Sequence, residues 1–424
     1  MADRERRVVT RQPFHERSHR DPTHLTRTSI DRRGTKRAQS RWKRRTFFGR
    51  ATDGRAPAVV VRKRTLHSAP PGVRESALIR HPRAPRRVTV ALKTRLADAR
   101  LRSHYPAVML IDELVRFAET LDDQWHSPIA DAAAECWNLE RPVFLRSSAC
   151  HVFVARPKGD GPRVVLRMRP VGADSVAVLE RGARAAQGWR RVGAPFVDAV
   201  PSGGGRLVER VAGYVVTALT VAEGESLKES TLGTASAHSW GAALAGLHRV
   251  ELSSSGFPTA EGFCDDFDNE VAAAFSAVRD PLGVLPRHAE VYGVLHGDPE
   301  PDNVVVTPAG MVLVDPDEVR VGWFISDVAF ALRDWGNQTG RLDWTRGIPA
   351  AMLAGYRSVR PVTAEELSWV PLLARASALE DLIRLQPHLR QQPGAQWPEW
   401  ARALDDKVRA RAAAVRMMLR PSVR

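Results

Sequence analysis

Cysteine is scarce in this chain, with three in 424 residues at positions 136, 150 and 264. So few, so scattered, they form neither a disulfide framework nor a CxxC metal site, and a reducing compartment suits them best. Long hydrophobic runs are also missing. No segment approaches the ~20 apolar residues that span a bilayer, and the N-terminus lacks the apolar core of a signal peptide. A cytoplasmic protein with no membrane partner is therefore expected. Internal repeats and coiled-coil heptads are absent too, which sets aside solenoids and long fibrous assemblies.

Acidic residues are sparse in one region alone. Residues 1–108 hold 29 Lys and Arg against 8 Asp and Glu, whereas residues 109–424 hold 34 against 40. The formal charge of +15 thus belongs to the N-terminal quarter. That quarter shows no sustained period of 2 or 3.6 and few aliphatic residues, so burial cannot offset the entropy of ordering it. It is expected to be a disordered basic extension. Two explanations stand: an arm that meets nucleic acid through phosphates, or sequence read from too early a start, since arginine outnumbers lysine there 25 to 4. Nucleic acid is not otherwise expected as a partner.

From Met109 the pattern changes. "MLIDELVRFAETLDDQW" has apolar residues at helical spacing and predicts a helix over 109–122. "VFVA" and "RVVLRM", joined by "PKGDG", read as strands around a turn, and "GRLVERV" and "GYVVTALTV" as further strands. Between them "DSVAVLERGARAAQGWRRVG" has helical period and stops at Gly193. Beyond "ASAHSWGAALAGLHRV" the chain turns mainly helical, with residues 350–418 helical between prolines. The fold class is α+β: a basic extension over 1–108, a leading helix and small β-rich lobe over 109–222, and a larger helical lobe over 223–424.

The chemistry concentrates in "VYGVLHGDPEPDN", residues 291–303, followed by "VVVTPAGMVLVDPDE". The runs 304–306 and 311–314 flank "TPAG", a type I turn pattern, so they predict a hairpin that sets Asn303 beside Asp315. An amide oxygen facing a carboxylate makes a pair of hard ligands suited to magnesium together with nucleotide phosphates. Asp298, on the loop just before, is close enough to take a proton from an acceptor hydroxyl. Together these groups make sense as one phosphoryl-transfer site.

These residues resemble the aminoglycoside phosphotransferase and choline kinase-like family, which has the two-lobed protein-kinase fold. The likeness rests on "HGDPEPDN", "MVLVDPDE" and "SDVAFAL". It implies ATP, or GTP, and Mg2+ as cofactors, Asp298 as catalytic base, Asn303 and Asp315 as metal ligands, and His296 and Asp327 as structural support for the loop. It further implies that Arg167 in "VVLRM" holds nucleotide phosphates in place of the usual lysine, paired to Glu180, and that the base binds backbone near Thr220 to Ala222. Ser147 and Ser148, in the turn "RSSACHVF" that lacks a G-x-G-x-x-G pattern, are expected to cap the phosphates. His248, in "WGAALAGLHRV", is expected to be structural. Pro299 replaces the leucine usual after the catalytic aspartate.

The expected partners are a nucleotide and a small hydroxylated acceptor such as an aminoglycoside, amino alcohol or sugar. Asp334, Trp335, Glu380 and Asp381 are candidates to face it, and the acidic "FCDDFDNE" at 263–270 reads as a helix start. Similarity to bacterial stress-response Ser/Thr kinases and type II homoserine kinases leaves a protein acceptor open. A non-catalytic nucleic-acid-binding or scaffold protein, using the basic arm, is the rival from another class.

Overall fold

The structure, a computed structural model, describes residues 109–419 apart from 173, 229–231, 260–268, 338–339 and 395. The basic segment 1–108 and the acidic stretch 263–268 lie outside the described residues.

The chain enters through helices α1 (Ile111–Ala118) and α2 (Pro128–Glu135). Helix α2 was not expected. Its signal is local: Ser127 caps Ile129 N–H through its hydroxyl, Pro128 sits where no N–H is needed, and alanines fill the rest. Next come β1 (Val143–Ser147), β2 (His151–Ala155), β3 (Val164–Pro170), helix α3 (Ser175–Arg191), β4 (Ala199–Val200), β5 (Val208–Val211) and β6 (Tyr214–Thr220). These strands form one antiparallel sheet in the order β1-β2-β3-β6-β4, with β5 also on β6.

Both faces of this sheet are covered, which is why β3 and β6 read as nearly continuous apolar runs. One face, with Phe153, Leu166, Met168 and Val216, packs on Phe117, Ala130 and Ala133 of α1 and α2. The other, with Val152 and Val215, packs on Leu179 of α3. Strand alternation puts Arg167, between Leu166 and Met168, on the α3 side.

The rest of the chain is mainly helical. Strand β7 (Glu225–Ser226) is followed by α4 (Thr234–His248), α5 (Asn269–Gly283), β8 (Tyr292–Leu295), β9 (Val304–Thr307), β10 (Gly310–Leu313), β11 (Arg320–Trp323), α6 (Phe324–Ala331), α7 (Gly347–Arg357), α8 (Ala364–Arg390) and α9 (Glu399–Leu419). Two small antiparallel sheets interrupt the helices, β10-β9-β7 and β11-β8. The core gathers Trp240, Leu244, Trp323, Val328, Met352 and Tyr356. Helices α4 and α7 cross at backbone contact: a Cβ on Gly241 would lie 2.0 Å from the Met352 carbonyl oxygen, and one on Gly355 1.8 Å from that of His238. Helix α8 starts in a capping box between Thr363 and Glu366. Its Leu379, Leu382 and Ile383 pack with Ala401, Leu404 and Val408 of α9 and with Ile111 and Leu114 of α1. Helix α1 therefore serves two cores, through Phe117 on the sheet side and Leu114 on the helical side.

Candidate active site

The site is built where β8 ends. Leu295 is fully buried, and the chain then turns sharply through His296, Gly297 and Asp298. Gly297 has φ of 84°, and a Cβ there would lie 2.0 Å from the Glu318 carbonyl oxygen, so only glycine fits. The His296 ring is wholly buried; its Nε2 donates to Val314 O at 2.9 Å, and its Nδ1 accepts from Asp298 N–H at 3.3 Å.

Asp327, in the first turn of α6, ties this loop from beneath. Its Oδ2 accepts His296 N–H at 2.8 Å and its Oδ1 accepts Gly297 N–H at 3.0 Å. His248 Nε2 lies 3.1 Å from Oδ2, and its Nδ1 lies 2.7 Å from the Tyr356 hydroxyl. Burial works against ionisation of Asp327, yet the His248 hydrogen bond holds its carboxyl below the ordinary value. His248 is kept neutral by burial, its pKa lowered despite Asp327. The structural part expected for these residues thus has definite hydrogen-bond partners, Tyr356 among them, which the sequence did not indicate.

The hairpin forms in the expected register, with Val304 opposite Leu313 and Thr307 opposite Gly310. Val314 N–H then donates to Asn303 O at 3.0 Å, bringing Asn303 next to Asp315. Asn303, at the end of the 3-10 turn Pro301–Asn303, donates its amide N–H to Asp298 O at 2.9 Å and to Asp298 Oδ2 at 3.0 Å. Its amide oxygen is thereby turned away from that carboxylate. Asp315 has φ of 69°, a left-handed conformation uncommon outside glycine, asparagine and aspartate. Its carboxylate accepts from Arg167 at 2.5 Å and from Arg146 at 3.2 Å.

The two carboxylates are pushed in opposite directions. Burial raises the pKa of Asp298, with Asp315 adding to the rise and Arg333 opposing it. Burial would also raise Asp315, but Arg167 and Arg146 hold it below the ordinary value. Asp298 Oδ1 is buried and takes no hydrogen bond among the described residues. Nor are there three His, Cys, Asp or Glu side chains among them grouped as a metal cage. Asn303 and Asp315 could hold a cation only with phosphate and water completing its shell, which is the habit of magnesium.

Several expected contacts are different. Arg167 is 4% exposed and pairs with Asp315 and, at 2.8 Å, with Asp317, not with Glu180. Helix α3 buries Val178, Leu179, Gly182, Ala183 and Ala186, and Glu180 falls off that stripe, where it pairs with Arg184 at 3.1 Å. Ser147 is buried and its hydroxyl bonds to His151 Nδ1 at 2.7 Å, so it is spent within the sheet. Ser148 sits in the β1–β2 turn, its N–H donating to Cys150 O. At the end of β6, Thr220 N–H donates to Asp198 O and Val221 N–H to Arg163 O, so neither donor faces a base; Ala222 is half-buried against the core.

The acceptor candidates divide. Glu380 is buried and Asp381 mostly so, holding Arg320 at 3.4 Å and Arg384 at 2.6 Å respectively. Arg320 in turn donates to Gly297 O at 3.1 Å, and Arg384 pairs with Glu318 at 2.9 Å. Glu380 thus reaches the His296–Asp298 turn through Arg320, and Asp381 reaches Glu318 through Arg384. Asp334 is exposed and Trp335 packs on the helical core. Arg333, beside them, pairs with Glu300 and lies 3.8 Å over the Phe330 ring.

Known proteins share this architecture. At a TM-score of 0.51 and 17% identity, the fold matches an amicoumacin kinase solved in complex with AMP-PNP, Ca2+ and Ami, over 69% of this chain and 96% of that one. A microcompartment-associated aminopropanol kinase matches at 0.50 and 16%, over 68% and 94%. In sequence, the homoserine kinase of Rhizobium meliloti (strain 1021) is 42% identical over 106 residues, 24% of this chain and 32% of that protein. The homoserine kinase of Beijerinckia indica subsp. indica is 31% identical over 207 residues, 45% of this chain and 64% of its own length. The chain spans from about a third to just under two thirds of these curated relatives. Residues 151–362, half of the chain and inclusive of everything from β2 through the His296–Asp298 turn, the hairpin and α6, match the model of one family, and the chain belongs to that phosphotransferase enzyme family, with its protein-kinase-like fold.

Proposed function

We propose that this protein transfers the γ-phosphoryl group of ATP, with magnesium, to a hydroxyl group of a small molecule. One observation carries the assignment: the buried Asp298 Oδ1 has no hydrogen-bond partner among the described residues, while its own Oδ2 and the N–H groups of His296 and Gly297 are all hydrogen-bonded. An unsatisfied buried carboxylate oxygen costs free energy unless a ligand uses it, and an acceptor hydroxyl is the donor it lacks. Asp298 orients that hydroxyl and accepts its proton. Burial raises its pKa above that of an ordinary carboxylate, which makes its ionised form a stronger base.

Asn303 and Asp315 hold magnesium, which when bound with nucleotide neutralises charge on the transferring phosphoryl group. Arg167 steadies the phosphates; its Nη1 is buried and has no partner among the described residues, as suits a group reserved for an anion. His296 and Asp327 hold the loop in place and take no proton from the acceptor.

The acceptor class is supported by the relatives. Homoserine kinases are among the curated proteins similar to this chain in sequence, and an aminopropanol kinase shares the fold, so a small amino alcohol or hydroxy amino acid heads the panel. The test is magnesium-dependent ATP turnover with homoserine, amino alcohols, aminoglycosides, sugars and a generic protein substrate, beside Asp298→Ala. Turnover with one acceptor class, lost in the variant, supports the assignment. Folded protein that neither turns over ATP with any acceptor nor gains thermal stability from ATP and magnesium would sink it.

A further inference from the structure

Strands β1 and β2 do not pair in simple alternation. Val143 faces Val154 and Phe144 faces Phe153, but the next pair is Arg146 with Val152, so Leu145 is an extra residue and β1 carries a bulge. Strict alternation would put Arg146 on the same side as Phe144, against the aromatic cluster of Phe117 and Phe153. The bulge moves it to the other side, the side of Val152 and α3. Val152 in turn faces Arg167 on β3. Arg146, Val152 and Arg167 thus make one cross-strand row, with the Cα atoms of the two arginines about two strand spacings, roughly 10 Å, apart. Both reach the Asp315 carboxylate.

The two arginines are not equivalent. Arg167 is 4% exposed and has a second partner in Asp317, itself 3% exposed. Arg146 is 35% exposed in its side chain, and its ion pair is with Asp315. If Asp315 turns to a metal ion, Arg167 keeps a counter-charge but Arg146 does not. Phosphate oxygens arriving with that metal are the anions available to replace the carboxylate.

We propose that Arg146 is a phosphate-binding residue of the nucleotide site, brought to the site by the β1 bulge and parked on Asp315 until a metal-bound nucleotide takes its place. This rests on the nucleotide and metal assignments made above. A fork of guanidinium donors matches two phosphate oxygens at once, and it does from β1 what a glycine-rich turn would otherwise do with backbone N–H groups. The β1–β2 turn, with Ser147 and Cys150 occupied by His151 and Asp317, is poorly placed to do that alone.

The experiment is equilibrium binding of ATP, ADP and adenosine, with magnesium, to the full chain and its Arg146→Ala and Arg146→Lys variants. Arg146→Ala is expected to bind ATP about tenfold or more weakly, from loss of a charge-assisted contact. Adenosine, without phosphates, should bind both proteins alike, and Arg146→Lys should recover part of the ATP affinity. Equal or tighter ATP binding by Arg146→Ala, with the wild type binding normally, would overturn the proposal and make Arg146 a competitor of the metal. Failure of the folded wild type to bind ATP at all would remove the nucleotide assignment and this proposal with it.

Discussion

Asp298 ionises at a cost to the fold, and that cost has a measurable sign. Its pKa lies above the ordinary carboxylate value because burial penalises the charge and Asp315 repels it, with Arg333 offsetting only part. A raised folded-state pKa means that the ionised group favours unfolding, so its penalty is present at neutral pH and fades as pH falls through the folded value. Asp298→Asn removes the charge yet still offers Asn303 an amide oxygen. The variant should therefore unfold at or above the wild-type temperature at pH 7, with the difference vanishing in acid. Turnover should fall by ~10²–10⁴, the usual contribution of a general base, while ADP affinity stays within about twofold. The wild-type acid limb of kcat/KM should lie above the range of an ordinary aspartate. A variant that melts clearly lower at pH 7, or an acid limb at the ordinary value, would contradict this account.

At the scale of elements, the loop depends on α6 more than on its own sequence. Asp327 accepts two backbone N–H groups and faces His248, all fully buried. Asp327→Ala orphans both N–H groups and should cost about 3 kcal/mol in urea unfolding, in the range for breaking a buried hydrogen-bonded charge. Because its folded pKa is lowered, Asp327 contributes stability above the unfolded value of 3.8 that is lost as pH falls through the lower folded value. The wild type should accordingly lose its advantage over the variant only in strong acid. The β9–β10 hairpin was legible in the sequence because strand, turn and register are all set within a dozen residues. So was the strand–helix order of the first sheet. Helix α2 and the two-residue strands β4 and β7 were not, since so few residues carry no period. The missed partnerships are those that close over long separations: Arg146 and Arg167 meet Asp315 from 169 and 148 residues away. Glu180 misled because helical spacing alone does not fix which face of α3 meets the site.

For the whole molecule, charge and site occupy different parts of the chain. Residues 1–108 carry the entire positive excess, while residues 109–424 hold 34 basic against 40 acidic side chains. The site residues named above all belong to the second part, and helix α1, which begins only two residues after Met109, buries Ile111, Leu114 and Phe117 against α8, α9 and the sheet. A chain starting at Met109 keeps those anchors. It should fold, bind ATP as the full chain does within about twofold, and pass through an immobilised polyanion such as heparin without retention. The full chain should be retained at low salt and released as salt rises, because contacts of arginine with phosphate or sulfate exchange for released counterions. Two results would alter the assignment of parts. If the shorter chain folds but loses ATP, the basic segment contributes to the nucleotide site. If it keeps ATP but still binds the polyanion with steep salt dependence, a cationic surface within 109–424 carries that contact despite the net acidity, and the arginines of the β1–β3 row become the first residues to replace.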